Sequence, residues 1–305
     1  MIKLDIVSGF LGAGKTTFCN LLLKHYLRAA EDGRPCKRPV FIVNEFGKTS
    51  LDAEIIKADG FDAIELEGGC ICCTLKDDIA TSIIQVVEEF APTNIVFEPS
   101  GIFIFNNFYD ILKQPEIAAK CEFGNAVTIV DSVNFSPSKA AYGSFVYNQI
   151  KNAAVLVLSK LEKTKADVNE IICDLKNINP EAFIVSKVWS ELTAVDFDEM
   201  LNERNGVIYD RRDKQHAKLA STTIQAEKQF TQEKLDELVE KYVGGVFGEL
   251  YRVKGVINVN GKSALLNFAL YDAKIEPFNG AAENRLTFIG QTVDKAAVSG
   301  FIESL

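Results

Sequence analysis

The sequence predicts an α/β protein: a doubly wound, mostly parallel sheet followed by a smaller α+β domain. Three observations carry this. Short apolar runs alternate with helical patterns up to about residue 200, a glycine-rich turn joins the first run to the first helix, and the texture changes from about residue 206. A chain of 305 residues exceeds the size at which single cores usually stop growing, so two domains are expected, at 1–205 and 206–305.

The apolar runs are IKLDIVS, PVFIVNE, NIVFEPS, AVTIVDS, AAVLVLSK and AFIVSK. Strands this apolar, separated by helices, belong to a parallel sheet covered on both faces. Residues 75–90 illustrate an intervening helix, with Leu75, Ile79, Ile83, Val86, Val87 and Phe90 on one face at three- and four-residue spacing. Thr74, with Asp77 three positions on, resembles a capping box and starts that helix just after Cys73. After residue 206 a polar stretch leads into TTIQAEKQF, the helix TQEKLDELVEKYV, the strands LYRVKGVINV, SALLNFALYDA and RLTFIGQ, and a final helix DKAAVSGFIESL. That order implies an antiparallel sheet with helices of its own.

Composition narrows the function. With 47% apolar and 25% charged residues and no low-complexity tract, the chain is a folded, soluble type. A net charge of -9 and a pI near 5.0 disfavour a nucleic-acid partner, which needs a basic field; the short basic run RPCKRP reads as a solvated loop. No apolar run reaches the roughly 18 to 20 residues that span a bilayer, and MIKLDIVSGF reads as a first strand rather than a signal peptide. No membrane association and a cytoplasmic location are expected. The seven cysteines, an odd number, then read as reduced thiols rather than a disulfide framework.

GFLGAGKTT, residues 9–17, follows a strand and opens the helix TTFCNLLLKHYL, the context in which G-x-x-x-x-G-K-[ST] is a phosphate loop. Gly9, Gly12, Ala13 and Gly14 turn backbone N–H groups inward around phosphate oxygens, and the helix start at Lys15, Thr16 and Thr17 adds its positive end. Lys15 is expected to reach the β- and γ-phosphates, and Thr16 to place its hydroxyl on Mg²⁺. NIVFEPSG ends a strand in Glu98, a carboxylate suited to Mg²⁺ or its water, and Gly101 can offer its N–H to a γ-phosphate. NEFGK, residues 44–48, follows another strand tip as a switch-like loop. Asn44, Glu45 and Glu98 all remain candidates for the partner of the attacking water.

At the end of a later strand stands VLSKLEK, where guanine-specific enzymes carry N-K-x-D. Here the pattern is Ser159, Lys160, Leu161 and Glu162: the Lys160 stem can stack along a base and the Glu162 carboxylate can accept guanine's N–H groups, which favours GTP.

GGCICCTLK crowds Cys70, Cys72 and Cys73 into four positions of a strand-to-helix loop. Three thiolates suit Zn²⁺, Co²⁺ or Cu(I) and leave a fourth tetrahedral position open for a transferred ligand. Gly68 and Gly69 give the loop freedom to gather the sulfurs, and the following helix start lowers the thiol pKa. A C-x-x-C redox pair of Cys70 and Cys73, or three small buried apolar side chains, are the competing readings.

Together GFLGAGKTT, NEFG, GGCICCTLK, the E-x-x-G of EPSG and the late FIGQTVD turn resemble the CobW family of P-loop GTPases, relatives of the nickel-insertion GTPases of urease and hydrogenase. The resemblance covers essentially the whole chain, including a CobW-type C-terminal domain. It implies GTP hydrolysis coupled to delivery of Zn²⁺ or Co²⁺, or to activation of a client metalloenzyme or cobalamin-dependent protein. A homodimer is one assembly open to such a chain, and the sequence itself does not name the oligomeric state. Two departures stand out: S-K-x-E at the base motif, and only two histidines, His25 and His216, where many relatives carry a histidine-rich segment. A small-molecule kinase with a structural zinc, and a regulatory scaffold that binds nucleotide without turning it over, are the rival functions.

Overall fold

A computed structural model describes residues 1–31, 39–44, 56–65, 75–101, 103–201, 220–269, 272–278 and 284–305. The chain divides into two units, Met1–Lys214 and Gln215–Leu305. The boundary expected at 205/206 lies outside the described residues.

The first unit is built on β1 (Ile2–Gly9), β2 (Pro39–Val43), β3 (Asp62–Glu65), β4 (Asn94–Glu98), β5 (Cys121–Asp131), β6 (Val155–Ser159) and β7 (Phe183–Val185). These form one sheet in the order β3-β2-β4-β1-β5-β6-β7, and every pairing is parallel. The helices are α1 (Lys15–Glu31), α2 (Leu75–Phe90), α3 (Phe105–Leu112), the single turn α4 (Pro115–Ala118), α5 (Phe135–Lys151), α6 (Val168–Ile178) and α7 (Ala194–Leu201).

Strand periodicity explains why both faces are covered. Val7 and Val96 point into a core with Phe18, Leu22 and Leu23 of α1, whereas Leu4, Ile6, Ile95 and Phe97 point into a second core with Ile79, Ile83 and Val86 of α2. The helix expected over 75–90 is α2, and its Thr74 cap lies outside the described residues. One acid breaks the apolar run of β1. Asp5 is fully buried, accepting from Tyr26 Oη at 2.6 Å and the Asn125 N–H at 2.7 Å; burial pushes its carboxyl up and those bonds oppose the shift.

The second unit is a five-stranded antiparallel sheet of β8 (Ala220–Gln225), β9 (Leu250–Val259), β10 (Lys262–Ala269), β11 (Asp272–Pro277) and β12 (Arg285–Gly290), in the order β11-β10-β9-β12-β8. Helices α8 (Gln232–Val243) and α9 (Lys295–Glu303) supply Leu235, Leu238, Tyr242, Val298, Phe301 and Ile302 to a core with Val253, Ile257, Leu266, Phe268, Leu286 and Phe288. Thr231 and Asp294 cap the two helices through the N–H groups of Lys234 and Ala297. SALLNFALYDA, expected as one strand, is shared between β10 and β11, which pair as a hairpin. No described helix is long and apolar enough to cross a membrane.

Candidate nucleotide site

All strands of the first sheet point the same way, so β1, β4, β5 and β6 end at one edge, with Asp131 beside Ser159 in register. Open parallel sheets bind ligands at that edge. Between β1 and α1 the chain reverses through residues 10–14, with positive φ at Gly9 (148°), Gly12 (70°) and Gly14 (98°). The Phe10 carbonyl accepts the Ala13 N–H at 3.1 Å and faces the Lys15 ammonium at 3.5 Å. Ala13 is buried, while Gly12 and Thr17 are exposed.

Beside this turn stands Glu98, the last residue of β4 and 5% exposed. Thr16 Oγ1 donates to Glu98 Oε1 at 3.1 Å, and Lys15 Nζ lies 3.9 Å from the same oxygen. The ammonium and hydroxyl of two adjacent residues therefore meet, at the first turn of α1, a carboxylate that is 82 positions from Thr16. Asn44, at the tip of β2, donates its N–H to the Glu98 carbonyl at 2.9 Å, while Glu45 lies outside the described residues.

Gly101 closes the arrangement. A Cβ at this position would stand 2.7 Å from both the Leu11 backbone nitrogen and its side chain, a separation that no real Cβ tolerates. Only glycine lets the turn after β4 lie directly against the phosphate loop.

The base motif lies two strands away. Ser159 is buried and its carbonyl accepts from the Ser132 hydroxyl at 2.6 Å, which ties the tip of β6 to that of β5. Lys160 takes a left-handed φ of 58°, and its ammonium meets Asp131 Oδ2 at 2.5 Å. Asp131 also accepts the N–H groups of Val133 and Asn134 and the Asn134 amide. Glu162 is exposed on the following turn.

Two residues of this region were not singled out from sequence. Asp131 ends its apolar run in an acid just as Glu98 does, and that shared pattern was the available signal. Trp189 had none beyond being the chain's one tryptophan. Its ring edge underlies Gly14, where a Cβ would come within 3.2 Å, and its indole N–H donates to the Leu158 carbonyl at 2.9 Å.

Cys70, Cys72 and Cys73 lie outside the described residues, together with Gly68, Gly69 and Thr74. Their flanking elements are described. Glu65 ends β3 and shares a register row with Val43 and Glu98, which puts Glu65 two strands, or about 10 Å, from Glu98.

Residues 3–186 match the family model described as CobW/HypB/UreG, nucleotide-binding domain, and residues 219–304 match the cobalamin synthesis protein cobW C-terminal domain. Among curated proteins the chain is similar to a zinc chaperone CobW of Sinorhizobium sp, 35% identical over 147 residues, covering 46% of this chain and 39% of that protein. It is also similar to zinc-regulated GTPase metalloprotein activator 1 of Dictyostelium discoideum, at 24% identity, covering 83% of this chain and 62% of that protein. The chain thus spans less than two thirds of either relative. The crystal structure of Zn(II)-bound YjiA GTPase from E. coli aligns over 98% of both chains, at 16% identity and a TM-score of 0.47.

Proposed function

The chain belongs to the CobW/HypB/UreG family, and from that premise we propose that it is a GTP-hydrolysing metallochaperone whose nucleotide state governs a metal held by Cys70, Cys72 and Cys73. The observation that carries the nucleotide half is the convergence of Lys15 and Thr16 on one oxygen of buried Glu98. In this reading Lys15 holds the β- and γ-phosphates, the turn from Gly9 to Thr17 donates its N–H groups to phosphate oxygens, and Gly101 donates to the γ-phosphate. Thr16 and Glu98 present hard oxygen donors side by side, a set that fits Mg²⁺. When bound, that ion neutralises charge on the β- and γ-oxygens. Ser159, Lys160 and Glu162 face the base, with Asp131 holding the Lys160 stem in place.

The metal half is supported by the thiol spacing, by relatives named as zinc chaperones, and by the end of β3 at Glu65, two strands from Glu98 and five positions before Cys70 in sequence. Zn²⁺ is the first candidate and Co²⁺ the second, for hand-over to a client metalloenzyme or cobalamin-dependent protein.

The test of the nucleotide half is phosphate release from GTP, with Mg²⁺ and no acceptor. The wild type is expected to release phosphate, and Lys15→Ala to lose at least 10²-fold in rate with its circular dichroism unchanged. Undiminished release by the variant overturns the assignment. For the metal half, Zn²⁺ is titrated against a competing chelator with and without a non-hydrolysable GTP analogue. About one equivalent should bind, with affinity shifted by a coupling on the order of 1 to 3 kcal/mol, which by linkage acts equally on the nucleotide. Identical affinities would leave a metal site with no switch.

A further inference from the structure

Helix α5 carries two adjacent polar side chains that grip the segment after β4. Asn148 Oδ1 accepts the N–H of Phe105, the first residue of α3, at 3.0 Å. Gln149 Nε2 donates to the carbonyls of Gly101 at 3.0 Å and Phe103 at 3.3 Å. The orientation of the Gln149 amide is set by chemistry, because carbonyls need donors and only its NH₂ end can supply them. Gln149 is 1% exposed, so water does not replace it readily.

The same residue is tied to the phosphate loop from its other side. Thr128 Oγ1 donates to the Gln149 backbone carbonyl at 3.0 Å and lies 2.7 Å from Ser8 Oγ, in the position immediately before Gly9. A buried chain of hydrogen bonds therefore runs from the end of β1, across β5 and α5, to the turn that contains Gly101. Gly101 thus lies against Leu11, and Gln149 holds its carbonyl.

We propose that Gln149 is a positioning residue for the terminal phosphate of the nucleotide. A glycine with no side chain has a loose peptide unless its neighbours hold it. The Ser100 carbonyl, which shares a peptide with the Gly101 N–H, accepts the Phe103 N–H at 3.0 Å, and Gln149 clamps this turn by its Gly101 and Phe103 carbonyls; Gln149 thereby steadies the direction of the Gly101 N–H, the donor that distinguishes a nucleoside triphosphate from a diphosphate. The inference rests on the GTPase reading above and extends it to a residue 48 positions from Gly101.

The test compares wild type, Gln149→Met, which keeps the volume and removes both donors, and Asn148→Ala, which releases Phe105 without touching Gly101. GDP and GTP-analogue affinities and the hydrolysis rate are measured for each. Gln149→Met should lower kcat about 10- to 100-fold and weaken the GTP analogue while leaving GDP affinity within a factor of about two. Asn148→Ala should keep the wild-type ratio of the two affinities. Equal weakening of GDP and GTP analogue, or the same pattern in Asn148→Ala, reduces Gln149 to a structural role and overturns the proposal. Should Gln149→Met not fold, Gln149→Asn, one methylene too short to reach Gly101, is read the same way. A wild type that neither binds nor hydrolyses GTP defeats the GTPase reading itself. A hydrolysing wild type whose Gln149 variants keep kcat and the affinity ratio defeats this inference alone.

Discussion

The two ends of the proposed nucleotide site lie on one sheet edge and are built in opposite ways. At the phosphate end, Lys15 and Glu98 are 9% and 5% exposed, and a glycine is wedged against the loop backbone. At the base end the Lys160 side chain is 31% exposed and Glu162 stands in solvent. Charges on a phosphate are stabilised by donors held at fixed positions in a site that excludes water, because the local dielectric decides how much each donor is worth. A base at an open rim is read by a few contacts, each in competition with water. Small errors should therefore be costly at the first end and tolerable at the second.

The comparison breaks most readily at Glu98. Glu98→Gln keeps an acceptor for the Thr16 hydroxyl and removes only the charge, so a change confined to the acid is measured. The expected result in steady-state phosphate release is a loss of about 10²- to 10³-fold in kcat, with the preference for GTP over ATP unaltered. A variant with near wild-type turnover would show that the buried carboxylate takes no part in the chemistry.

Gly101→Ala tests the close approach instead of the charge. The added methyl meets the Leu11 backbone 2.7 Å away, and one of the two segments must move. Overpacking of this kind typically costs about 1–3 kcal/mol, visible as a lower melting temperature, and the displaced turn should reduce hydrolysis about 10-fold or more. An alanine variant with unchanged stability and rate would contradict the packing described here.

Asp131→Asn moves to the base end. It keeps an oxygen for the Val133 and Asn134 N–H groups but removes the charge that holds Lys160. GTP affinity, followed by fluorescence titration, is expected to fall by about a factor of five to ten while kcat at saturation stays the same. A fall in kcat without a fall in affinity would place Asp131 in the wrong half of the site.

How much of this was legible in the sequence follows from how far apart the partners are. The phosphate turn and E-x-x-G are local, since a loop that wraps phosphate needs its glycines and lysine in one short stretch. The pairs Lys160–Asp131, Trp189–Leu158 and Gln149–Gly101 join residues 29, 31 and 48 positions apart, and only the sheet order brings them together. The hairpins make the same point. Asn260 and Gly261, with φ of 50° and 82°, announce the turn between β9 and β10, whereas Leu270 and Tyr271 carry no turn signal, so β10 and β11 read as one strand. The edge strand β3, with sequence DAIE, is short and half acidic, a composition that strand propensity does not favour. The thiol cluster, legible as three cysteines in sequence, lies outside the described residues, and titration rather than geometry will decide its role.

The smallest effect is expected at Glu162, and it bears most directly on base choice. Glu162 supplies the only carboxylate within the S-K-x-E motif, yet the carboxylate that meets Lys160 is Asp131, and Glu162 is exposed. A solvated carboxylate can still accept guanine's N–H groups, but each such bond replaces one to water and its net contribution is small. Glu162→Ala should therefore reduce the ratio of GTP to ATP affinity by about a factor of two to five, leaving turnover of bound GTP untouched. Competition between the two nucleotides for wild type and variant measures that ratio directly. A collapse of 10²-fold or more would mean that the rim closes over the base and excludes water, and the contrast between buried charges at the phosphate end and exposed ones at the base end would fail; no change at all would leave guanine to be read by Ser159, Lys160 and backbone alone.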